Sequence, residues 1–438
     1  MNYDFSTSYG THYLHYNLRN SLNLSWGPNS PHNFEIGDLQ QEETNWNADF
    51  TYPMGDMNVA FGGEWREEKY IMYEGQKEAW MPGPWATVHT LTYDSAGTGN
   101  MVNYGYTAPG LAANGMPGTS PDAAGVFARQ NTAFYADVEY DMDALLVQGA
   151  FRFEDFSDFG STSNFKFAAR YSLGDLATFR GNFSTGFRAP TPGQSNYTGV
   201  TTSFDGVTGM QVQEGTLKPT DPLCVALGGA ALVPEDAQNI SAGFTTSFID
   251  NLNLSVDYYS VDVENKIIKS RSLSVEGSTE FSELAFYTNA LNTKTSGIDI
   301  VATYRLSGGT KIACAVNTNT TEVLSQNLVN GNAPVSDGTV FNLENNLPQL
   351  KMSASVNHSF SDALALMVRM NHYGETIDER GGMEKVDPAQ LIDVELNYTI
   401  SENLSVVFGA NNALNTCLLY TSDAADERSS VDLGGRRI

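Results

Sequence analysis

The sequence predicts an all-β protein, a transmembrane antiparallel β-barrel, and three observations support this fold class. Apolar and polar residues alternate along many segments, short polar turns join these segments at one end, and long segments join them at the other. No apolar run in the 438 residues approaches the roughly eighteen residues of a membrane-spanning helix. Because lipid cannot hydrogen-bond free backbone groups, a chain that crosses it with strands must close them into a barrel.

The alternation is clearest between Leu176 and Arg188. Successive side chains of a strand point to opposite faces, so Phe179, Phe183 and Phe187 share one face. Arg180 and Arg188 share the other. We expect the phenylalanines to face lipid, where a charge costs roughly 2 to 4 kcal/mol near the midplane, and the arginines to face the lumen.

The same pattern recurs in other segments, which we therefore predict to be strands of about ten residues. Their apolar faces include Phe134, Ala136, Val138 and Tyr140; Phe151 and Phe153; Phe165 and Phe167; Ile240 and Phe244; Ile298 and Ile300; and Ile392 and Val394.

Turns and loops fix the direction of the strands. Short polar turns are expected at 54–56, 141–143, 174–175, 250–251, 307–309, 361–362 and 401–402. Longer segments are expected at about 71–126, 157–163, 189–238, 267–295, 321–348 and 375–389. Since antiparallel strands alternate in direction, the short turns lie at the periplasmic end and the long loops at the extracellular end.

The number of strands can also be counted. One strand before residue 11 and two strands in each of seven hairpins give about fifteen strands. Bacterial barrels have even numbers of strands, so the barrel is expected to be incomplete.

Composition excludes several classes of function. The net charge of −27 argues against nucleic acid as a partner. The six histidines are scattered and no calcium-loop spacing occurs, so no metal site and no cofactor are predicted. No Ser, His and Asp residues stand in a nucleophile elbow, and we expect the protein not to be an enzyme.

Both ends of the chain look unnatural. Residues 417–438 break the alternation, and their sequence resembles the peptide encoded when a DNA-sequencing library adapter is read through in frame. We expect this stretch to be non-native and assign only residues 1–416 to the barrel. Met1 opens directly into strand-like sequence without an export signal, so the natural start is expected upstream.

The long segment 71–126 is rich in aromatic residues and is the first candidate ligand site. Its ring-bearing residues are Tyr73, Trp80, Trp85 and Tyr93. Aromatic rings at the mouth of a barrel could stack on a sugar, a flavin-like or a catecholate ligand. Scattered anchoring of a long loop explains them equally well.

Charged residues on the predicted inner face form the second candidate site. The basic residues Arg152, Lys166, Arg170, Arg180 and Arg188 are expected to lie near the acidic residues Asp137, Glu139 and Glu154. One interpretation is an ion-pair ladder that stiffens the wall and holds a plug, and the other is a conduit for an anionic ligand. We favour the ladder.

Several motifs, taken in order, resemble landmarks of TonB-dependent outer-membrane receptors. The residues that carry the resemblance are Gly186, Phe187, Arg188, Ala189 and Pro190; Leu232, Val233, Pro234, Glu235 and Asn239; Leu254–Tyr259; Thr288, Asn289 and Ala290, leading to Gly297, Ile298 and Asp299; and Gly409–Asn415. The last motif departs from the family pattern, in which Leu-Phe stands where this chain has Ala413 and Leu414. Pro190 ends its strand because proline cannot donate a ladder hydrogen bond.

The resemblance implies a barrel of about 22 strands, of which about fifteen are in this chain, and an N-terminal plug domain that this chain lacks. It further implies a Gram-negative outer-membrane location, contact with outer-membrane lipid, and energy supplied by the TonB–ExbB–ExbD complex through the missing N-terminal part. The implied function is active import of a scarce small ligand: a siderophore, cobalamin, a carbohydrate or a peptide. A passive porin and a non-transporting surface-binding barrel are the alternatives.

Overall fold

The computed structural model describes residues 1–86, 91–92, 103–104, 112–204, 211–275, 281–379 and 382–417. Its main feature is one antiparallel sheet of fifteen strands. In chain order these are β1 Asn2–Leu14, β2 Leu39–Met54, β3 Met57–Met72, β4 Gly125–Met142, β5 Leu145–Phe156, β6 Gly160–Leu173, β7 Ala177–Arg188, β8 Glu235–Thr246, β9 Leu252–Lys269, β10 Tyr287–Leu306, β11 Thr310–Gln326, β12 Leu350–Ser361, β13 Leu364–Tyr373, β14 Ala389–Ser401 and β15 Leu404–Ala410.

Each strand of this sheet pairs with the next one along the chain. Within the described residues, β1 and β15 are each paired on one side only, so the wall is open between them. The expected count of about fifteen strands is confirmed, and all seven predicted short turns lie at one end of the wall. Gly55, Asp143, Gly174 and Asn251 hold positive φ in these turns, as tight hairpins require.

One predicted long loop is wrong. The segment 157–163 reduces to three residues, because β5 continues to Phe156 and β6 begins at Gly160. The ring of Phe159 stacks on that of Phe156, with centroids 4.5 Å apart, and Gly160 takes a φ of 92° that other residues rarely adopt. These two contributions close a tight turn at the end that otherwise carries long loops.

The outer face of the wall carries an apolar band next to the short turns. On β2 and β3 the band ends at Trp46 and Trp65, which are register partners. The nine residues from Trp46 to Met54 span about 30 Å along the strand, or about 23 Å at a tilt of 40°. This height is close to the apolar band of about 25 Å on membrane barrels.

Beyond the band, the outer face becomes charged although the strands continue. Glu67 and Lys69 lie on this face and pair at 2.9 Å, and β2 and β3 each reach 16 residues. The expectation of strands of about ten residues therefore describes only the membrane-facing part. The remainder of each long strand projects into water.

The long-loop end carries further short elements. The helices are α1 Lys77–Trp80, α2 Pro192–Asn196, α3 Pro222–Ala226 and α4 Asp337–Asn345, with a 3-10 helix at Leu24–Asn29. Short strands pair as Asn17–Arg19 with Asn33–Glu35, Leu91–Thr92 with Asn103–Tyr104, and Thr376–Asp378 with Glu384–Val386, and a four-stranded sheet has the order Gly199–Phe204, Gln211–Thr216, Glu283–Ala285, Leu273–Ser274. No helix in the described part of the chain is both long and apolar enough to cross a membrane.

Among the described residues, three compact apolar cores lie at the long-loop end, two within the loops and one where β10 meets the loop after β11. The first contains Leu217, Cys224, Phe281, Leu284 and Phe286; the second contains Phe34, Ile36, Ala79 and Ala113; the third contains Ala290, Leu291 and Val335. Burial raises the pKa of the Cys224 thiol to about 12, so this free cysteine stays protonated. The described parts of these loops are thus folded units.

The band predicts a position-dependent cost for one matched pair of substitutions. Ala136 and Ala128 both lie exposed on the outer face of β4, but only Ala136 lies within the band, between Phe61 and Phe151. Ala136→Arg is expected to destabilise the barrel by about 2–4 kcal/mol, because the charge meets lipid. Ala128→Arg is expected to change stability by less than about 0.5 kcal/mol. Urea unfolding from lipid vesicles measures both, and equal losses would contradict the band.

Candidate functional site

The inner face of the wall is joined by ion pairs that skip a strand. On β7, Arg180 donates from Nε to Oδ1 of Asp257 at 2.7 Å and from Nη2 to Ser255 at 2.8 Å. Asp257 and Ser255 lie on β9, so β8 runs between the two charged groups. The pair therefore fixes three strands relative to one another.

A glycine on the intervening strand makes this contact possible. Gly243 of β8 is the register partner of both Arg180 and Asp257, and a Cβ atom there would collide with Oδ1 of Asp257. The same arrangement occurs at Gly62, where the Tyr135 hydroxyl donates to Asp49 at 2.6 Å across β3. At Gly297 the ring of Tyr259 crosses β10, and its hydroxyl accepts from Asn317. A missing side chain thus leaves room for a bridge above it.

Arg152 makes a similar bridge. It donates to Glu154 on its own strand at 2.6 Å and to Glu64 on β3 at 2.8 Å. The contact to Glu64 passes over Ala133 of β4, a fully buried small residue. Asn131 completes the group by donating to Glu154 at 2.7 Å. Of the predicted inner set, only Arg152 and Glu154 pair with each other.

The remaining predicted inner residues have other surroundings. Asp137 accepts from Gln148 at 2.8 Å. Arg180 and Arg188 were expected near Asp137, Glu139 and Glu154, and this is wrong because their acidic partners come from β9 and β8. Within the described residues, no ion pair is formed by Glu139, Lys166 or Arg170.

The structure adds a buried arginine that the sequence analysis missed. Arg129 of β4 is 6% exposed, donates to Glu68 at 2.6 Å and to the carbonyl of Pro190, and lies over the ring of Phe156 at 5.3 Å. Continuing the alternation from Asp137 by steps of two reaches Arg129, so the signal was present. The sequence pattern did not indicate its buried contacts, because its partners come from β3 and from the segment after β7.

The motif residues join the roots of the long loops. Arg188 and Glu235 are register partners on β7 and β8 and form a two-pronged ion pair, and Glu235 also accepts from the backbone N–H of Ile267 at 2.7 Å. Asn289 donates to the carbonyl of Val233 at 2.8 Å and accepts from its N–H at 3.0 Å. Three motifs that lie far apart in sequence therefore meet at the long-loop ends of β7, β8 and β10.

The motif residues next to Arg188 and Glu235 lie at the same strand ends. Pro190 is fully buried, Pro234 and Ala189 are partly buried, and Gly186 has no close neighbour that a Cβ atom would strike. Phe187 was expected to face lipid, but its ring packs edge-on against the buried ring of Phe156 at 5.8 Å. The expectation fails because β6 pairs with β7 only up to Ser184, so the end of β7 separates from it.

Three of the four predicted aromatic residues of the loop after β3 are described, and these three are not brought together. The Tyr73 hydroxyl donates to Gln40 at 2.6 Å, and its ring meets Tyr13. Trp80 donates to the carbonyl of Gly75 at 3.2 Å and lines a cavity, while Trp85 is exposed and packs beside Gly27. Tyr93 lies outside the described residues.

A comparison with protein-family models matches residues 1–413 to the family described as TonB dependent receptor-like, beta-barrel. No curated protein sequence matches this chain. The family match covers the whole fifteen-stranded wall.

Solved structures share the fold. A ferric enterobactin receptor (PfeA) mutant from Pseudomonas aeruginosa in complex with enterobactin is 14% identical, with a TM-score of 0.60 and coverage of 94% of this chain and 54% of the other. The FrpB iron transporter from Neisseria meningitidis is 12% identical, with a TM-score of 0.60 and coverage of 94% and 56%. The siderophore receptor PirA from Pseudomonas aeruginosa is 15% identical, with a TM-score of 0.57 and coverage of 87% and 55%. The chain thus spans about half the length of the solved proteins it matches.

The glycine bridge predicts the effect of a single added methyl group. Gly243→Ala is expected to separate Arg180 from Asp257 and to destabilise the barrel by about 1–3 kcal/mol, since both charges lose their partner. In Gly181→Ala, the control on β7, the new Cβ lies at an ordinary 3.7 Å from its nearest neighbour, and little change is expected. Thermal unfolding followed by circular dichroism measures both, and equal melting temperatures for the two variants would refute the bridge.

Proposed function

This chain belongs to the TonB-dependent receptor-like β-barrel family, and on that premise we propose that it is the barrel part of an outer-membrane receptor that imports a scarce extracellular ligand. The observation that carries the proposal is the division of the wall into an outer apolar band and an inner face of bridged charges. Such a wall suits a lumen that is polar and tightly organised. The proposed site is the Gram-negative outer membrane, with the long loops outside and lipid around the band.

The proposed mechanism is movement of a ligand through the lumen without breaking a bond. A ligand binds at the long-loop end, a plug domain outside this chain fills the lumen, and the TonB–ExbB–ExbD complex supplies the energy that displaces the plug. The bridges of Arg152, Arg180 and Arg188 hold the strands in register while this happens. In this mechanism the barrel wall stays fixed and the plug moves.

The inner charges divide into two groups with different proposed roles. Arg152, Arg180 and Arg188 have acidic partners in the wall, which supports the ion-pair ladder for them. Lys166 and Arg170 have none among the described residues, and we assign to them contact with the plug or with an anionic ligand. Unchanged uptake after replacing both by Ala, at normal barrel abundance, would remove the anionic conduit.

The proposed ligand is a siderophore, cobalamin, a carbohydrate or a peptide, bound in part by loop aromatics. Of the predicted residues Tyr73, Trp80, Trp85 and Tyr93, the best placed is Trp80, because it lines a cavity between loops. Tyr73 is engaged with Gln40 and Tyr13. We therefore expect Trp80→Ala to weaken ligand binding more than Tyr73→Ala.

Uptake by cells that carry the complete gene tests the function. Radiolabelled ferric siderophores, cobalamin, oligosaccharides and peptides are offered to wild-type cells, to a deletion strain and to cells lacking TonB. We expect uptake of one ligand class to fall at least tenfold in both mutants. Uptake that needs the gene but not TonB would indicate the passive porin instead, and surface binding without uptake would indicate the non-transporting barrel.

A further inference from the structure

A cavity of about 290 Å³ lies at the long-loop end. It is bounded by the segment before β2, by residues 112–123 and by residues 197–201, which follow α2. Its walls include Tyr16, Met72, Trp80 and Tyr197 together with small residues, and no charged side chain lines it among the described residues. The cavity is therefore partly aromatic and electrically neutral.

Two tyrosines, Tyr16 and Tyr197, line this cavity. A third, Tyr70, lies beside Gly193 of α2, the helix just before Tyr197. Burial raises the pKa of Tyr70, and the phenols of Tyr197, Tyr16 and Tyr287 raise it further. Burial likewise raises the pKa of Tyr197, followed by the phenols of Tyr16 and Tyr287. Tyr70 lies five residues beyond Trp65, outside the apolar band. Tyr70 and Tyr197 are thus neutral at physiological pH.

The hydroxyl groups of Tyr16 and Tyr197 are not used by the protein. Among the described residues, neither has a hydrogen-bond partner, whereas the hydroxyls of Tyr13, Tyr73, Tyr135 and Tyr259 all do. Partly buried phenols normally find a partner. The two free hydroxyls on the cavity wall are donors and acceptors available to a bound molecule.

The rings are held in place by their surroundings. Tyr197 folds back over Gly199, where a Cβ atom would collide with the Tyr197 hydroxyl. The backbone N–H of Tyr197 donates to Gly193 at 2.8 Å, and a Cβ at Gly193 would lie 3.7 Å from the ring of Tyr70. The backbone N–H of Tyr16 donates to Asp38 at 3.3 Å. The arrangement is thus formed before any ligand arrives.

We propose that this cavity binds an uncharged ring that carries several hydroxyl groups. Aromatic walls stack on the face of such a ring, and the free phenols exchange hydrogen bonds with its hydroxyls. A charged group would be disfavoured because, in the described part of the chain, no side chain of opposite charge lines the cavity to offset its desolvation. The inference rests on the proposed function and narrows its ligand class.

A sugar ring and a phenolic ring share this chemistry, and calorimetric titration separates them. The probes are methyl β-glucoside and catechol, added to the full chain in an amine-oxide detergent that carries no sugar. Each probe is paired with an analogue bearing one carboxylate: the methyl glucuronide and 2,3-dihydroxybenzoate. We expect saturable binding of one uncharged probe and weaker binding of its carboxylated analogue. Binding of neither uncharged probe, or tighter binding of the carboxylate, would overturn the proposal.

Three variants test the tyrosines. The double variant Tyr16→Phe, Tyr197→Phe keeps the rings and removes two hydroxyls, and we expect it to lose about tenfold or more in affinity. The control Tyr52→Phe, on the exposed outer face, is expected to bind normally. Gly199→Ala should also weaken binding, because it displaces the Tyr197 ring. Circular dichroism verifies folding, and normal binding by the double variant would contradict the assignment.

Different experimental outcomes would refute the cavity proposal and the transport proposal. Probe binding that needs Tyr16 and Tyr197, in a protein whose cells show no TonB-dependent uptake, supports the cavity and refutes transport. TonB-dependent uptake that is unchanged by the double variant supports transport and refutes the cavity.

Discussion

The structure depends on one constraint: lipid stabilises neither a charge nor an unpaired backbone group. The backbone is satisfied by pairing each strand with the next, and the charges within the band must then lie on the inner face. Phe61, Ala136 and Phe151 form one side of neighbouring strands for this reason, while Glu64 and Arg152 occupy the other. Where the band ends, the constraint ends, and Glu67 and Lys69 appear on the outer face.

Concentrating charge on one face creates a second problem, which is to pair it. Neighbouring strands place like residues side by side, as with Arg170 and Arg180, which are register partners. In this wall, ion pairs cross an intervening strand at a glycine or alanine. Arg180 contacts Asp257 over Gly243, and Arg152 contacts Glu64 over Ala133. Since each such bridge joins three strands, a few of them stiffen the wall. At the loop end, Arg129 and Arg188 instead pair with their register partners Glu68 and Glu235 on the adjacent strands, and these pairs anchor the roots of the loops.

Much of the wall could be predicted from the sequence, because lipid on one side and water on the other impose a period of two. The seven turns and the faces of β4 to β7 followed from it. The extensions beyond Trp46 and Trp65 did not, since both faces there meet water and the pattern weakens. The partners Asp257 and Glu235, and the meeting of Tyr16 and Tyr197 at one cavity, depend on contacts between distant segments. The alternation of residues along a single strand carries no information about such contacts.

The central claim, that one face of the wall meets lipid and the other a polar lumen, is tested most directly by spin labels placed one at a time along β4 in lipid vesicles. Collision with oxygen reports lipid, and collision with a water-soluble nickel complex reports water. The account predicts that oxygen access is high at Phe134, Ala136 and Val138 and low at Tyr135 and Asp137. On the outer face it is lost on the long-loop side of Thr132, toward the start of β4. Equal oxygen access at Ala136 and Asp137 would contradict it.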